Sequence, residues 1–190
     1  MSLVITTEPA VEPVTLTEAK AHLRVEHDED DSTIGRLITV ARRYFESVTW
    51  RQLVTATYAL KLDAFPCGGV IVPRPPLQSV SSITYEDEND ATQTLATTEY
   101  TVDAASFPGR IVPAFEESWP STLGHINDVT ITYVAGYGLA ASVPAEIKQI
   151  LLMHVWDMYH NRAGCEGVPA MFDVMLAPHA MRDVRLLEYL

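Results

Sequence analysis

Four consecutive acidic residues, Asp28–Asp31, form the first stretch of this sequence that could bind a metal ion. An EF-hand calcium loop needs acids at positions 1, 3 and 5, glycine at position 6 and glutamate at position 12. Counted from Asp28, position 6 is Thr33; counted from Asp30, Gly35 falls at position 6 but position 12 is an alanine. Because neither frame fits, we expect a solvated turn. In this turn, Asp30 or Asp31 caps the helix that follows.

The histidines, serines and paired carboxylates do not form a recognisable catalytic pattern. His154 and His160 lack the HExxH spacing of a zinc site and fall on different faces of a helix, so we expect His154 to be a core or interface histidine. Ser118 lies outside any G-x-S-x-G motif, and Glu116 and Glu117 point in different directions in an extended segment. The sequence therefore predicts no catalytic residue, no metal ligand and no cofactor. A hydrolase would need a pocket with perturbed carboxylates, which the sequence does not reveal.

Composition and charge narrow the function classes. The net charge is −12, with 25 acidic and 13 basic residues, which argues against a protein that holds DNA through clustered lysines and arginines. An acidic surface can instead lie beside passing DNA without gripping it. Cys67 and Cys165 have no CxxC spacing, and the chain shows no secretory signal and no apolar run of the roughly 20 residues that a membrane helix needs. We expect a cytoplasmically made protein with free thiols and no membrane contact.

Three helices are predicted from capping signals and from apolar residues at helical spacing. Thr15 and Glu18 form a capping box that opens a short helix ending near Leu23. A second helix follows the four acidic residues 28–31, and Arg42 is predicted to lie mostly outside the apolar stripe of this helix. That stripe comprises Ile34, Leu37, Ile38, Ala41, Phe45 and Val48. A third helix starts near Pro144 and is apolar around most of its circumference, so we expect it to be buried in the core or against a neighbouring subunit.

Between residues 55 and 138 the apolar period changes from that of a helix to that of a strand, and we predict about five or six short strands. Pro73 and Pro76 formally match a PxxP ligand, but strand-like sequence on both sides favours a rigid lead-in to a strand. The acidic segment 86–90 is predicted to form a hairpin tip.

The predicted fold class is α+β: a small helical bundle formed by both chain ends, with an inserted, mostly antiparallel β region. The predicted boundaries are 1–54 for an N-terminal arm and helices, 55–138 for the β insertion and 139–190 for the C-terminal helices and tail. The arm itself, residues 1–14, is expected to be extended. Pro169 is expected to open a shorter helix that ends near Leu176.

Five stretches, in the same order, resemble the head–tail connector (adaptor) proteins of tailed phages and prophages, in the longer version with a β region between the helices. They are VTLTEAKAHLRVEHDEDDSTI, VPRPPLQSVSSITYED, GRIVPAFEESWP, VTITYVAGYG and VPAEIKQILLMHVWDMYHNR. The resemblance runs from about Val14 to Arg162 and rests on the order of the stretches, not on a single motif. It implies a structural virion protein at the head–tail joint, made in the cytoplasm of a bacterial host, without enzymatic activity or catalytic residues.

The resemblance also implies partners and surfaces. Connectors of this kind form a ring, typically of about twelve subunits, beneath the portal, where the ring extends the DNA channel and docks the tail. The expected partners are further copies of the chain, the portal protein and tail-completion proteins, while DNA passes through without sequence-specific binding.

Three candidate surfaces follow from this reading. The residues proposed for portal docking are Leu186, Leu187, Tyr189 and Leu190. The residues proposed for the subunit interface are Leu152, Met153, Trp156 and Tyr159. The residues proposed to face the channel or the tail are Glu86, Asp87, Glu88 and Asp90. A tail packed on its own subunit and a merely solvated hairpin turn are the plainer alternatives for the first and third sets.

Two alternative functions stay open on sequence alone. A tail-terminator or tail-completion protein would form a ring that binds tail tubes instead of portals. A DNA-packaging factor, such as a small terminase subunit, would need a basic face and salt-dependent DNA affinity, which the net charge disfavours.

Overall fold

The computed structural model describes residues 1–161 and 175–180. Contacts within the chain group these residues into two units. The β unit consists of residues 1–9 and 55–136, and the helical unit consists of the remaining described residues. Helices and antiparallel sheets occur together, which confirms the predicted α+β class. Within the described ranges, no helix has the length and apolar character needed to cross a membrane.

The helical unit is built on three α-helices. They are α1 (Leu16–Leu23), α2 (Asp31–Thr49) and α3 (Ala145–His160), with a 3-10 turn at Ala140–Ser142 before α3. The predicted capping box opens α1: the Glu18 amide donates to Thr15 Oγ1 (3.1 Å), and the Thr15 amide donates to Glu18 Oε2 (2.7 Å). The hydrogen bonds from the Thr15 backbone and hydroxyl lower the pKa of Glu18.

The core of the helical unit lies between the apolar faces of α2 and α3, as the spacing of their apolar residues predicts. Its most buried side chains include Ile34, Ile38, Ala41, Phe45, Ile147, Ile150, Leu151 and Val155. Leu176 also packs into this core, and Arg51 Nε donates to the carbonyl of His179 (2.5 Å). The predicted helix end near Leu176 is confirmed because residues 175–176 are helical, whereas its predicted start at Pro169 lies outside the described residues.

Arg42 lies beside the apolar stripe of α2, as predicted, but like Glu46 it is buried. Its guanidinium donates to Glu12 Oε2 (2.7 Å) and to Glu46 Oε2 (2.9 Å). The other Glu46 oxygen accepts from the side chain of Gln52 (2.9 Å) and from the amide of Leu53 (3.1 Å). Burial opposes the charge of Arg42, but the hydrogen bonds and charges of the two glutamates outweigh it and raise the pKa of Arg42.

The β unit contains two antiparallel sheets. The larger has the strand order β1-β2-β8-β4-β5, and the smaller has the order β3-β7-β6. The bounds are β1 Ser2–Thr7, β2 Ala56–Leu62, β3 Val70–Ile71, β4 Leu77–Glu86, β5 Thr92–Thr94, β6 Tyr100–Asp103, β7 Arg110–Pro113 and β8 Val129–Ala135. On the central strand β8, Ile131 lies opposite Leu60 of β2 and Ile83 of β4, and all three side chains are fully buried.

The N-terminal arm is extended over residues 2–7, as predicted. These residues form the edge strand β1 and pair with β2, and residues 1–9 group with the β unit, a pairing that the prediction did not include. β-Branched residues such as Val4 and Ile5 suit a strand, but a sequence pattern does not reveal a pairing partner more than fifty residues away. The region 55–136 also has seven strands instead of five or six, because β5 and β7 are too short to show a period.

The proline-rich segment leads into a strand, as predicted. Val72 and Pro73 are buried, and the Pro73 carbonyl accepts a hydrogen bond from the Tyr133 hydroxyl (2.9 Å). The Pro76 carbonyl accepts from the amide of Gly136 (2.9 Å), and β4 begins at the next residue. A buried segment with its carbonyls committed to the sheet is not available as a PxxP ligand.

Candidate assembly surfaces

The apolar surface of α3 is divided between the unit's own core and solvent. Leu152 and Met153 are partly buried and pack against the helical core. Tyr159 is also partly buried, and its hydroxyl donates to Asp30 Oδ2. Trp156 is different: it is 46% exposed and stacks on the ring of His160, with a centroid distance of 4.4 Å. Of the four predicted interface residues, Trp156 is therefore the one that presents most of its ring to a partner.

His154 is buried, which is the environment predicted for it. Its ring makes an edge contact with Tyr44 at a centroid distance of 4.9 Å. Burial lowers the pKa of His154, so the side chain is neutral near pH 7. His160 lies elsewhere on α3, exposed against Trp156. Among residues 1–161 and 175–180, no group of three or more His, Cys, Asp or Glu side chains could hold a metal ion.

The acidic residues 28–31 before α2 are held by a lysine. Lys20 Nζ lies 2.7 Å from a carboxylate oxygen of Asp28 and 2.7 Å from one of Asp31. These contacts lower the pKa of Asp28. Asp30 was one of the two residues predicted to cap α2. It occupies the N-cap position, but its side chain makes no capping hydrogen bond. The carboxylate of Asp30 accepts from Tyr159 instead.

The predicted hairpin tip is present between β4 and β5. Asp87 holds the turn: its carboxylate accepts from the Gln93 side chain and from the amides of Asn89 and Ala91, and these hydrogen bonds lower its pKa. Glu86 is half-buried beside it. Only Glu88 and Asp90 of the four predicted residues are exposed. The tip is thus an internally hydrogen-bonded turn with two carboxylates available to a partner.

A loop that the sequence did not indicate as an assembly surface lies next to this tip. Residues 114–128 connect β7 to β8, and the amide of Leu123 donates to the carbonyl of Glu86 (3.1 Å). Trp119 anchors the loop: its ring stacks on Phe65 at 4.7 Å, and its Nε1 donates to the carbonyl of Gly68 (2.9 Å).

The same loop is also held near its end. The buried carboxylate of Asp128 accepts from the amides of Gly124 and His125. Although the loop is anchored at several points, Phe115 is 90% exposed and Ile126 is 82% exposed. The signal in the sequence was a connection with four large apolar residues, Phe115, Trp119, Leu123 and Ile126, whose spacing does not show which of them stay exposed.

The predicted portal-docking residues, Leu186, Leu187, Tyr189 and Leu190, lie outside the described residues. Cys165 lies outside them as well, and Cys67 is a free, exposed cysteine. Among the described residues, exposed candidate surfaces lie on α2, on α3 and on the hairpin tip with its adjacent loop.

The model of the phage gp6-like head-tail connector proteins matches residues 13–108, just over half of the chain. The chain belongs to this family. The match begins just before α1 and ends near the end of the β6–β7 connection, so it includes both N-terminal helices and much of the β unit. A search of curated proteins finds no significant match.

Solved structures with the same fold come from gene transfer agent (GTA) particles. A chain in the virion of the native particle has a TM-score of 0.80 and 18% identity, covering 95% of this chain and 96% of the other. A chain in the neck of the empty particle, computed with C6 symmetry, has a TM-score of 0.79 and 17% identity, with the same coverage. A chain in the neck of the native particle, computed with C12 symmetry, has a TM-score of 0.69 and 19% identity over 94% and 95% of the two chains. The connector fold thus extends over nearly the whole length of this protein.

Proposed function

We propose that this connector assembles as a ring of about twelve subunits at the head–tail joint, beneath the portal, and acts there without catalysis. The observation that carries the proposal is the family membership of residues 13–108 together with a fold shared over 95% of the chain with proteins of virion necks. The C6 and C12 symmetries of those necks support a ring.

In this ring the protein extends the channel through which DNA passes. The β unit carries eleven acidic and three basic residues, which suits a wall that repels phosphates and lets DNA slide. Within that unit, Glu88 and Asp90 project from the hairpin tip. We assign this tip to the channel or to the tail-facing rim. Its function is electrostatic and geometric.

Portal and tail proteins are the proposed partners. Leu186, Leu187, Tyr189 and Leu190 form a short, densely apolar segment, and we assign them to portal docking. Trp156 of α3 is our candidate for the subunit interface, because an exposed tryptophan is the residue type most often found at the energetic centre of interfaces.

The test is to stop translation of this gene in its parent particle genome and to examine the lysate by electron microscopy. We expect heads and finished tails that lie apart, with joined particles restored when the intact gene is supplied in trans. Empty, unpackaged heads would support a packaging factor instead, and defective tails of abnormal length would support a tail terminator. Joined, intact particles would overturn the connector function.

The same complementation assay tests the assigned surfaces. Replacing Leu186 and Leu187 by serine is expected to reduce joined particles while the purified protein keeps its helical circular dichroism. Thr17→Ala, on an exposed position of α1, is the matched control in which a small polar change should leave particle yield unaltered. Normal yield from the serine variant would remove the tail from the docking surface.

A further inference from the structure

The side of α2 that faces away from the helical core has an unusual composition. Positions 36, 40, 43, 47 and 50 follow one another in alternating steps of four and three residues, so they lie within an arc of about 80° on the helix. We call this stripe the outer face of α2; it consists of Arg36, Val40, Arg43, Ser47 and Trp50. All five residues are exposed, and Val40 is 50% exposed.

The outer face of α2 is basic within an acidic protein. The exposed residues of α2 include two arginines and no carboxylate, although the whole chain has nearly twice as many acids as bases. The two carboxylates of the helix are used internally: Asp31 pairs with Lys20, and Glu46 is buried against Arg42. Arginine and tryptophan are residue types enriched at protein interfaces, and Val40 and Trp50 add exposed apolar area to this face.

An exposed acidic surface lies on the same unit, in the turn between α1 and α2. Glu26, Asp28 and Glu29 are exposed, and the side chains of Asp28 and Glu29 are 88% and 85% accessible. We call residues 26–29 the acidic turn. The charge of this turn is opposite to that of the outer face of α2, so the helical unit carries two complementary surfaces.

The turn cannot cover the far part of the outer face, from Arg43 to Trp50, in its own subunit. It precedes the first residue of α2, and at a rise of about 1.5 Å per residue Arg43 lies about 18 Å along the helix axis and Trp50 about 28 Å. A second copy can bring its turn to this position. A contact between two different surfaces of identical chains is heterologous, and when its rotation closes it produces a ring.

We propose that neighbouring copies in the connector ring dock by placing the acidic turn of one subunit on the outer face of α2 of the next. The proposal rests on the ring assembly put forward above and names the contact that builds it. Arg36 and Arg43 supply the charge that orients the neighbour, and Val40 and Trp50 supply apolar area that is buried on docking.

A charge swap tests the contact in the parent particle. Arg36→Glu with Arg43→Glu places carboxylates opposite carboxylates, which costs several kcal/mol per contact, and we expect the yield of joined particles to fall at least about 100-fold. Glu26→Lys with Glu29→Lys should produce a similar loss, because lysines then face arginines. All four substitutions in one chain restore opposite charges at every contact, and the yield should recover to within about tenfold of wild type.

Controls separate this interface from folding and from the connector function itself. Urea unfolding of each purified variant confirms that it is folded, and Arg36→Gln with Arg43→Gln repeats the comparison if a reversed variant is not. Thr17→Glu with Ala21→Glu adds two carboxylates to exposed positions of α1 and should leave yield unchanged. If the gene disruption separates heads from tails but both charge reversals assemble normally, the docking proposal is wrong and the connector function stands.

The variant with all four substitutions decides whether a neighbouring subunit or DNA binds the outer face of α2. Failure of the four-substitution variant to recover would overturn the proposal. Heads that join tails but lose their DNA in the arginine variants would then assign the outer face of α2 to DNA. An unaltered phenotype on gene disruption would remove the connector function itself, which the charge reversals alone cannot do.

Discussion

The helical unit and the β unit are stabilised by different kinds of interaction. The buried polar and charged residues described in the helical unit are Arg42, Glu46, Thr49, Gln52 and His154, whereas Asp128 is the one described in the β unit. The centre of the β unit is instead a cross-strand apolar layer, with the rings of Tyr58 and Tyr133 stacked at 5.6 Å. A hydrogen-bonded ionic network thus holds the segment before α1 to α2, while the sheet relies on packed area.

This difference predicts two different responses to mutation. A buried ionic network is all-or-none, because removal of one partner leaves the others buried without compensation. A packed apolar layer loses stability in proportion to the volume removed. The helical unit should therefore depend most on a single charged residue, and the β unit on the size of its central side chains.

The largest effect is expected from Arg42→Ala. The substitution leaves Glu46 buried without its cation and removes the hydrogen bonds that Arg42 Nε (2.7 Å) and Nη2 (3.4 Å) donate to Glu12, so the free energy of unfolding should fall by about 3–5 kcal/mol. Urea unfolding followed by circular dichroism at the helical minimum measures it. Arg36→Ala, an exposed arginine on the same helix, should change stability by less than about 0.5 kcal/mol. Equal effects of the two substitutions would show that the network contributes nothing beyond surface charge.

A smaller and graded effect is expected at Ile131 in the central strand β8. Ile131→Val should lower the unfolding free energy by about 0.5–1.5 kcal/mol, and Ile131→Ala by about 2–5 kcal/mol, because the fully buried side chain leaves a cavity between Leu60 and Ile83. The same urea titration, followed by circular dichroism, measures both variants. A valine variant as unstable as the alanine variant would contradict volume-dependent packing.

The same contrast explains which features could be predicted from the sequence. The apolar periods of α2, α3, β2 and β8 are local, and each is long enough to repeat its pattern, so those elements were predictable. The burial of Arg42 was not predictable, because its partner Glu12 lies thirty residues earlier in the chain. Position 42 lies beside the apolar stripe. It becomes buried only because the segment that contains Glu12 packs against this side of α2.

The surfaces were predictable in part for a related reason. Composition indicated an apolar α3 and an acidic hairpin tip, but not how each side chain is used. Tyr159 binds Asp30, and Asp87 is committed to its own turn, whereas Trp156 stays exposed. The exposed Phe115 and Ile126 belong to a loop held by long-range anchors, which leave no periodic signal. Local patterns thus identify which segments carry an unusual composition, and tertiary contacts decide which side chains remain free to bind.

The smallest effect concerns a partly buried carboxylate of the β unit, Asp103. Hydrogen bonds from the Ser106 hydroxyl and amide, and then from Arg110, lower the pKa of Asp103 to about 2. Because the folded pKa is depressed, the stabilisation is fully present above the ordinary aspartate value and is lost as pH falls through about 2. Titration of the Asp103 carboxyl carbon by NMR should give this midpoint. In Ser106→Ala the pKa should rise towards its usual value, since the strongest donor is removed while the amide and Arg110 remain. Arg110→Gln should raise it less, and the reverse order would assign the shift to the ion pair instead of the turn.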